Sequence, residues 1–434
     1  MKEKKSIALI SSDKIGKHMA GPGIRYFEFA KSFSRFFDVT LIVPDKCDVD
    51  PVGFKIKMYD SKHSSSSIAG LVDGFDFVMS QFLRPTALRA IKKKHIRYIA
   101  DLYDPQSIEV LEQAKYDSAK QQKNLSDFLY YSQALQMWAA DLILCSSERQ
   151  KDLYIGMMLG QRILQPEIYH QSPDLNKLLT TAPFGLSNAN PKKATTNVIV
   201  EAFPQICAKD KVIFWGGGIW NWFDPLTAIK AVEEIAKERK DVKMVFLGVK
   251  HPNPKIDKMK IVEQVLDYCR EKDLLDKYIF FNFGWTPYEE RAGWLLNSSI
   301  GISTHMDNLE TRFSFRTRIL DYLWAELPII ATEGDCMADL IERKEIGEVV
   351  PYNNVEAVKK SILEVIDNPA KNELIKKNIR EVKKDFYWDL IVEKICKTFE
   401  KDGLVEKKNS WFSFMKLSYC FYLSGFRKKF HYGK

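Results

Sequence analysis

The chain has 434 residues, of which 45% are hydrophobic, 12% aromatic and 28% charged. These values exclude a single small module, a disordered chain and a disulfide-dense scaffold, and they predict two or three folded domains. The net charge is +8, but residues 403–434 hold seven Lys and Arg against Glu406 alone, a surplus of six that leaves +2 for the rest. So small a charge over the body of the chain argues against a nucleic-acid-binding protein.

Cysteines and apolar segments indicate the compartment. The seven cysteines are scattered and form no C-x-x-C pair, which is typical of reduced thiols in a cytoplasmic protein. The apolar run after Lys5 is too short for a signal peptide, and the apolar stretch 411–426 is interrupted by Lys416. We therefore expect a cytoplasmic protein that meets a membrane, if at all, peripherally at the inner face of the cytoplasmic membrane.

From residue 6 onward, short apolar runs alternate with helical patterns, which is typical of parallel sheets covered by helices. In the first half, the loop Gly21-Pro22-Gly23 separates an apolar run from a segment of helical periodicity, so we expect a strand, a glycine loop and a helix. The prolines of 165–210 then predict a linker. Strands are predicted in this half at 7–11, 39–43, 75–80, 98–100 and 142–145.

A second alternating series follows the linker and predicts a second doubly wound α/β half of similar size. Its strands are predicted at 212–215, 243–247, 279–281, 300–303 and 329–331, with helices at 225–237, near 257–272 and near 316–325. The predicted domains are 1–185, a linker at 186–210, a second domain at 211–380, a closing helix at 381–402 and a basic amphipathic tail at 403–434.

The loop Trp215-Gly216-Gly217-Gly218 ends a predicted strand, and Asp224-Pro225 is a strong helix start with Asp as the N-cap. In open parallel sheets, ligands bind beyond the carboxyl ends of the strands, where helix N-termini attract anions. Successive glycines let the backbone approach a phosphate closely; the alternative is a tight turn that needs positive φ angles. The spacing fits neither the dinucleotide-binding nor the P-loop pattern, which disfavours oxidoreductases and P-loop NTPases.

The segment 313–322 carries Arg316, Arg318 and Asp321. Arginine suits planar, bidentate phosphate contacts, so this segment predicts an anion site. Residues five apart on a helix are separated by about 140°, so Arg316 and Asp321 share a face only if the helix begins near Arg316. The alternative is a solvated helix start with incidental ion pairs.

Other catalytic patterns have less support. The seven histidines show no metal-binding spacing, and no G-x-S-x-G elbow occurs. Asp101 and Asp104 stand at the carboxyl end of a predicted strand, where catalytic groups gather, although a helix cap before Pro105 explains them equally well.

Together, the halves, the linker and these motifs resemble the retaining glycosyltransferases of family four, over nearly the whole chain to about residue 400. The resemblance implies the GT-B fold, in which two Rossmann-like domains face a central cleft. The matching segments are Gly21-Pro22-Gly23, the domain crossing at 182–186, the strand end Phe283-Gly284-Trp285 and the stretch 320–330.

Two departures from the family pattern affect the predicted site. The family commonly has two glutamates eight positions apart, whereas this chain has Asp321 at the second position and Phe313 at the first, with Glu310 the nearest acid. The Arg and Lys that often follow the second-domain glycine are also missing. Arg316 and Arg318 are the expected substitutes.

The resemblance implies transfer of a sugar from a nucleotide diphospho-sugar to a saccharide or lipid-linked hydroxyl with retained configuration, without a metal or a further cofactor, by a hexosyl- or deoxyhexosyltransferase. The pattern looks like a bacterial subgroup that builds lipopolysaccharide, capsule or other surface glycans. The resulting site prediction assigns catalysis to Arg316, Arg318 and Asp104, donor binding to Gly217, Gly218, Asp321, Glu310 and Gly284, and a phosphate or acceptor loop to Gly21, Gly23 and Arg25.

Two other functions keep the fold. The missing Arg, Lys and first Glu suit a catalytically silent GT-B scaffold that binds a partner enzyme or glycan, and a nucleotide-sugar epimerase is the third possibility. Turnover with a panel of nucleotide sugars distinguishes them.

The segment 411–430 mixes aromatic residues with Lys416 and Arg427-Lys428-Lys429. This mixture suits the interface of an anionic membrane and hence a lipid-linked acceptor. The alternative is that the aromatic residues pack on the first domain.

Overall fold

The computed structural model describes residues 4–249, 259–284, 286–400, 403–407 and 410–432. The chain forms two compact units. The first contains residues up to 184 and from 388 onward, and the second contains residues 185–387. The predicted linker at 186–210 therefore lies within the second unit, and the predicted closing helix is divided between the two units.

The first unit is built on a seven-stranded parallel sheet with the order β3-β2-β1-β4-β5-β6-β7. Its strands are β1 (Ser6–Ile10), β2 (Asp38–Pro44), β3 (Lys55–Tyr59), β4 (Phe77–Ser80), β5 (Arg97–Asp101), β6 (Leu142–Cys145) and β7 (Leu179–Thr181). Its helices are α1 (Gly21–Phe33), α2 (Ser64–Leu71), α3 (Pro85–Lys93), α4 (Gln106–Gln113), α5 (Ala119–Ala139), α6 (Glu148–Gly160), α7 (Pro166–Gln171) and, after the second unit, α17 (Trp388–Glu400) and α18 (Trp411–Tyr432).

The second unit has a six-stranded parallel sheet with the order β10-β9-β8-β11-β12-β13. Its strands are β8 (Lys211–Gly218), β9 (Val242–Gly248), β10 (Ile279–Phe281), β11 (Ile300–Ser303), β12 (Ile329–Thr332) and β13 (Gly347–Val350). Its helices are α8 (Val198–Ala202), α9 (Pro225–Glu238), α10 (Lys260–Glu271), α11 (Arg291–Leu296), α12 (Leu309–Phe313), α13 (Thr317–Trp324), α14 (Cys336–Lys344), α15 (Val355–Asp367) and α16 (Pro369–Val382), with 3-10 turns at Tyr288–Glu290 and Lys383–Phe386.

The strands at the centre of both sheets are buried on both faces, which is why they read as apolar runs in the sequence. All ten predicted strands are confirmed. Three strands were not predicted: β3, an edge strand whose lysines face solvent, and the short β7 and β13. Part of the predicted helix near 257–272 lies outside the described residues.

Each sheet reverses its strand order at one point, between β1 and β4 in the first unit and between β8 and β11 in the second. The loops that follow these neighbouring strands leave in opposite directions, and a crevice opens between them at their carboxyl ends. Both glycine loops of the sequence stand at such a point, after β1 and at the end of β8.

The α18 helix packs on α5 of the first unit. The Phe414 ring stacks on Trp138 with 4.8 Å between centroids, and the Phe421 ring lies 5.2 Å from that of Phe128. Both phenylalanines belong to the hydrophobic core of the first unit. For one face of α18 the structure therefore shows the alternative to membrane binding, the packing of the tail on the first domain. Among the described residues, no helix combines the length and hydropathy needed to cross a bilayer.

Candidate functional site

The crevice of the second unit is held together by Tyr322 of α13. Its hydroxyl accepts a hydrogen bond from the Gly216 amide (2.9 Å) and lies within hydrogen-bond distance of the carbonyls of Phe214 (3.1 Å) and Ile302 (2.9 Å). The ring lies so close to Gly301 that a side chain there would overlap it. Tyr322 thus ties α13 to the ends of β8 and β11.

The glycine loop leads from β8 to α9. Gly217 is exposed and has a φ of +75°, a conformation that favours glycine. Asp224 caps α9 as predicted, because its Oδ1 accepts a hydrogen bond from the Thr227 amide (3.1 Å). The other carboxylate oxygen of Asp224 is buried and has no partner within the described part of the chain.

Arg316 lies just before α13 and is almost fully buried. Its two terminal nitrogens donate to the two carboxylate oxygens of Glu310, each at 2.8 Å, and its Nε donates to Asp335 at 3.3 Å. Glu310 also accepts the Ser314 hydroxyl. Arg316 and Glu310 therefore bind each other, in place of the leaving-group and donor contacts predicted for them.

Arg318, two residues further on, has a different environment. Its guanidinium carbon lies 4.1 Å from the Phe223 ring centroid and 4.6 Å from that of Trp215. Its Nη2 donates to the Gly218 carbonyl at 2.8 Å, while its Nη1 is buried and has no hydrogen-bond partner among the described residues. Burial lowers the pKa of Arg318 to about 10, and the charge of Arg316 adds to this lowering. The side chain is still protonated at neutral pH, so the glycine loop adjoins a cation with an unused N–H donor.

His305 and Ser303 complete the buried polar group at the carboxyl end of β11, and the sequence analysis missed both. The Nε2 of His305 lies 3.1 Å from Asp335 Oδ2, but neither ring nitrogen has an aligned hydrogen bond to a described residue, and the Ser303 hydroxyl has none either. Burial and the charges of Arg316 and Arg318 hold the pKa of His305 well below its usual range. The position of Ser303 and His305 at the end of a predicted strand was the sequence signal that could have indicated them.

Asp321 and Gly284 are separate from this buried group. The Asp321 side chain is 42% exposed and accepts a hydrogen bond from Arg291 Nε at 3.1 Å. Gly284 is exposed after the edge strand β10, and its amide donates to Asn282. Trp285, which belongs to the same predicted motif, lies outside the described residues.

The first unit contains the other predicted residues. Its helix α1 begins at Gly21, and a Cβ on Gly23 would stand 2.7 Å from the Lys14 carbonyl, so glycine permits close approach of the preceding loop. Asp104 is half-buried just beyond β5. The neighbouring Tyr103 hydroxyl lies 3.9 Å from the position of a Cβ on Gly21, which brings the end of β5 to the N-terminus of α1.

Arg25 requires a correction. Its side chain is fully buried and binds Asp101 through both carboxylate oxygens, at 2.7 and 2.8 Å. It also donates to the carbonyls of Ala182 and Pro183, and its guanidinium lies against the Tyr103 ring. Four of its five N–H groups are thus used inside the first unit. Arg25 is a core residue, and the predicted contact with a phosphate or acceptor is wrong for this structure.

Comparison with known proteins finds a family similarity in the second unit. Residues 209–368, which include the glycine loop and both Arg316 and Arg318, match the family model described as Glycosyl transferases group 1. This segment, about a third of the chain, is therefore similar to the group 1 glycosyltransferases. The match supports sugar transfer as the class of reaction. Among curated proteins, none matches the chain.

Solved structures match over both units of the chain. The chain is similar to sucrose-phosphate synthase from Thermosynechococcus elongatus, with 14% identity, a TM-score of 0.62 and coverage of 92% of this chain and 99% of that one. It is similar to HepE of Anabaena in complex with UDP and glucose, with 13% identity, a TM-score of 0.64 and coverage of 91% and 99%. It is also similar to WaaG, with 11% identity, a TM-score of 0.59 and coverage of 91% and 100%. At these identities the likeness shows the fold, and the GT-B fold predicted from the sequence is confirmed.

Proposed function

We propose that this protein transfers a sugar from a nucleotide diphospho-sugar to an acceptor hydroxyl, with retained configuration and without a metal ion. The proposal rests on the environment of Arg318. This buried cation has an unused N–H donor and lies beside the glycine loop, in the segment that matches the group 1 glycosyltransferases. An unneutralised buried cation costs free energy in the absence of a ligand, and an anion at this place offsets that cost.

The difficult step in such a transfer is the growth of negative charge on the diphosphate as its bond to the anomeric carbon breaks. Donors that already point at the growing charge stabilise it without reorganisation, and removal of one such donor typically costs roughly 100-fold or more in turnover. In this proposal Arg318 and the amides of Gly217 and Gly218 bind the diphosphate. The partly exposed carboxylate of Asp321 on α13 accepts hydrogen bonds from the ribose hydroxyls.

Arg316 has a positioning role in this proposal. Its pairing with Glu310 and Asp335 links the start of α13 to α12 and to the segment after β12. The buried ion pairs fix the backbone on which Arg318 stands. Burial and the charge of Arg316 help to keep His305 neutral, so its imidazole has one N–H that can donate a hydrogen bond and one nitrogen that can accept one.

For the acceptor we propose a saccharide or lipid-linked sugar of a bacterial surface glycan, held by the first unit. In this proposal the half-buried carboxylate of Asp104 positions the acceptor hydroxyl. The amides at the start of α1, which has no side-chain cap among the described residues, bind an acceptor phosphate. WaaG, one of the similar structures, is described as a glycosyltransferase involved in lipopolysaccharide biosynthesis.

The test is turnover with UDP-, GDP-, ADP- and dTDP-sugars, beginning with UDP-glucose because HepE was solved with it. We expect nucleotide release with one donor, unchanged by EDTA, and a product with the donor's anomeric configuration. Absence of turnover and of donor binding by the folded protein would favour the scaffold. Formation of an epimerised nucleotide sugar, or of its hydrolysis product, would favour the epimerase, and loss of turnover with EDTA would contradict the metal-free mechanism.

A further inference from the structure

The helix α18 has a second face whose large side chains are mostly exposed, although Tyr422 contacts Thr86 of the neighbouring helix α3. Aromatic and apolar side chains recur on it every three or four residues, so they form one stripe along the helix. We call this stripe the α18 face. Its members and their exposed fractions are Phe412 (72%), Met415 (61%), Tyr419 (68%), Tyr422 (48%) and Phe426 (61%).

The stripe is long and continuous. Phe426 follows Phe412 by fourteen positions, which corresponds to about 21 Å along a helix. Large aromatic side chains are rarely left in water in such a row, and contiguous exposed apolar patches mark interaction sites. The opposite side of the same helix carries Phe414 and Phe421, which lie in the core of the first unit. One face of α18 is therefore fixed in the core of the first unit, and the other face is exposed.

The charged side chains of α18 and of the neighbouring α3 are all basic, whereas α5, on which α18 packs, carries one acidic residue, Asp127. Neither α18 nor the neighbouring α3 contains an Asp or Glu. The two helices meet at Thr86 and Tyr422, whose hydroxyls are 3.5 Å apart. Arg89 and Lys93 follow Thr86 on the exposed side of α3 at helical spacing, and Lys416 and Arg427 are exposed on α18.

We propose that the α18 face is a docking surface for an anionic phospholipid membrane. A helix lying flat in the interface places aromatic side chains at headgroup depth and cations near the lipid phosphates. A second copy of this chain is a poorer occupant, because a symmetric contact would bring the two sets of cations together without an acidic residue from α3 or α18 between them. The proposal does not depend on the proposed function.

The test is co-sedimentation of the full-length protein with vesicles of phosphatidylglycerol and phosphatidylcholine. The variant is F412S/Y419S/F426S, which alters exposed side chains only; removal of the whole helix would also remove core residues. The control is L159S/Y169S, which changes two side chains of the first unit that are 56% and 54% exposed. We expect the first variant to bind about 10-fold or more weakly and the control to bind as the wild type does.

A second variant, R89Q/K93Q/R427Q, tests the charges. Binding of the wild type should be strong at about 0.1 M salt, weak at about 1 M salt and weak on pure phosphatidylcholine, and this variant should lose most of the difference between the two vesicle types. Turnover of a soluble acceptor should be unchanged in all variants, so failure of this proposal is distinguishable from failure of the proposed function. Three results would each overturn the proposal of a membrane-docking surface. They are equal vesicle binding of the wild type and F412S/Y419S/F426S, no vesicle binding of the wild type at low salt, and a wild-type dimer in solution that becomes monomeric in this variant.

Discussion

The two units place an arginine at the carboxyl ends of their sheets, but they surround it differently. Arg25 of the first unit meets a carboxylate and two backbone carbonyls. Arg318 of the second unit meets one carbonyl and two aromatic rings, and one of its nitrogens has no partner among the described residues. Both side chains are buried, so exposure alone does not separate them.

The difference lies in what neutralises each charge. Asp101 neutralises Arg25, and the resulting ion pair is complete inside the fold. Arg318 forms no ion pair with any described residue, and the buried carboxylates of Glu310 and Asp335 are engaged by Arg316. A buried arginine whose donors are all used needs no further partner, whereas a buried arginine with an unused donor gains free energy when an anion binds to it. The number of unused donors is therefore a better guide to a ligand site than the residue type.

The largest effect is expected on the stability of the first unit. Arg25→Met removes one partner of a fully buried ion pair and leaves Asp101 without its cation, which should lower the free energy of unfolding by about 3–5 kcal/mol. The measurement is urea unfolding followed by the fluorescence of the protein's tryptophans. The double variant R25M/D101L removes both charges and should recover a large part of the loss. A stable Arg25→Met protein that has lost donor or acceptor binding would reverse the assignment of this residue.

The next effect is on turnover and concerns Arg318. Arg318→Met retains the apolar contacts and removes the cation, so turnover should fall by roughly 100-fold while the free energy of unfolding changes by about 1 kcal/mol or less. Arg316→Met is the matched comparison, because it leaves Glu310 and Asp335 unpaired and should act mainly on stability. Steady-state kinetics and urea unfolding of both variants make the check. Wild-type turnover of Arg318→Met would remove this residue from the mechanism.

The smallest effect concerns Asp321. Replacement by Asn turns a charge-assisted hydrogen bond to the ribose into a neutral one, so the donor KM should rise about 3- to 10-fold with little change in kcat. Arg291→Met is the control, because it removes the contact that Asp321 makes inside the unit. If both variants raise the donor KM equally, Asp321 acts only by holding Arg291.

The sequence by itself determined the two parallel sheets and the reversal points where ligands bind. Strands covered on both faces must be apolar throughout, and helices must repeat every 3.6 residues, so the alternation is readable along the chain. The Asp224 cap was also readable, because an N-cap side chain bonds to amides only two or three residues away. The strands β3, β7 and β13 were missed because one faces solvent and the other two are short.

Only the tertiary structure decided which arginine keeps an unused N–H donor. Arg25 and Asp101 are 76 residues apart, and the carbonyls that complete the shell of Arg25 come more than 150 residues later. Arg316 and Arg318 look alike in the sequence, yet the start of α13 turns one toward Glu310 and Asp335 and the other toward the glycine loop. Local pattern specifies where an element begins and ends, whereas the pairing of buried charges depends on which strand ends the sheet order brings together.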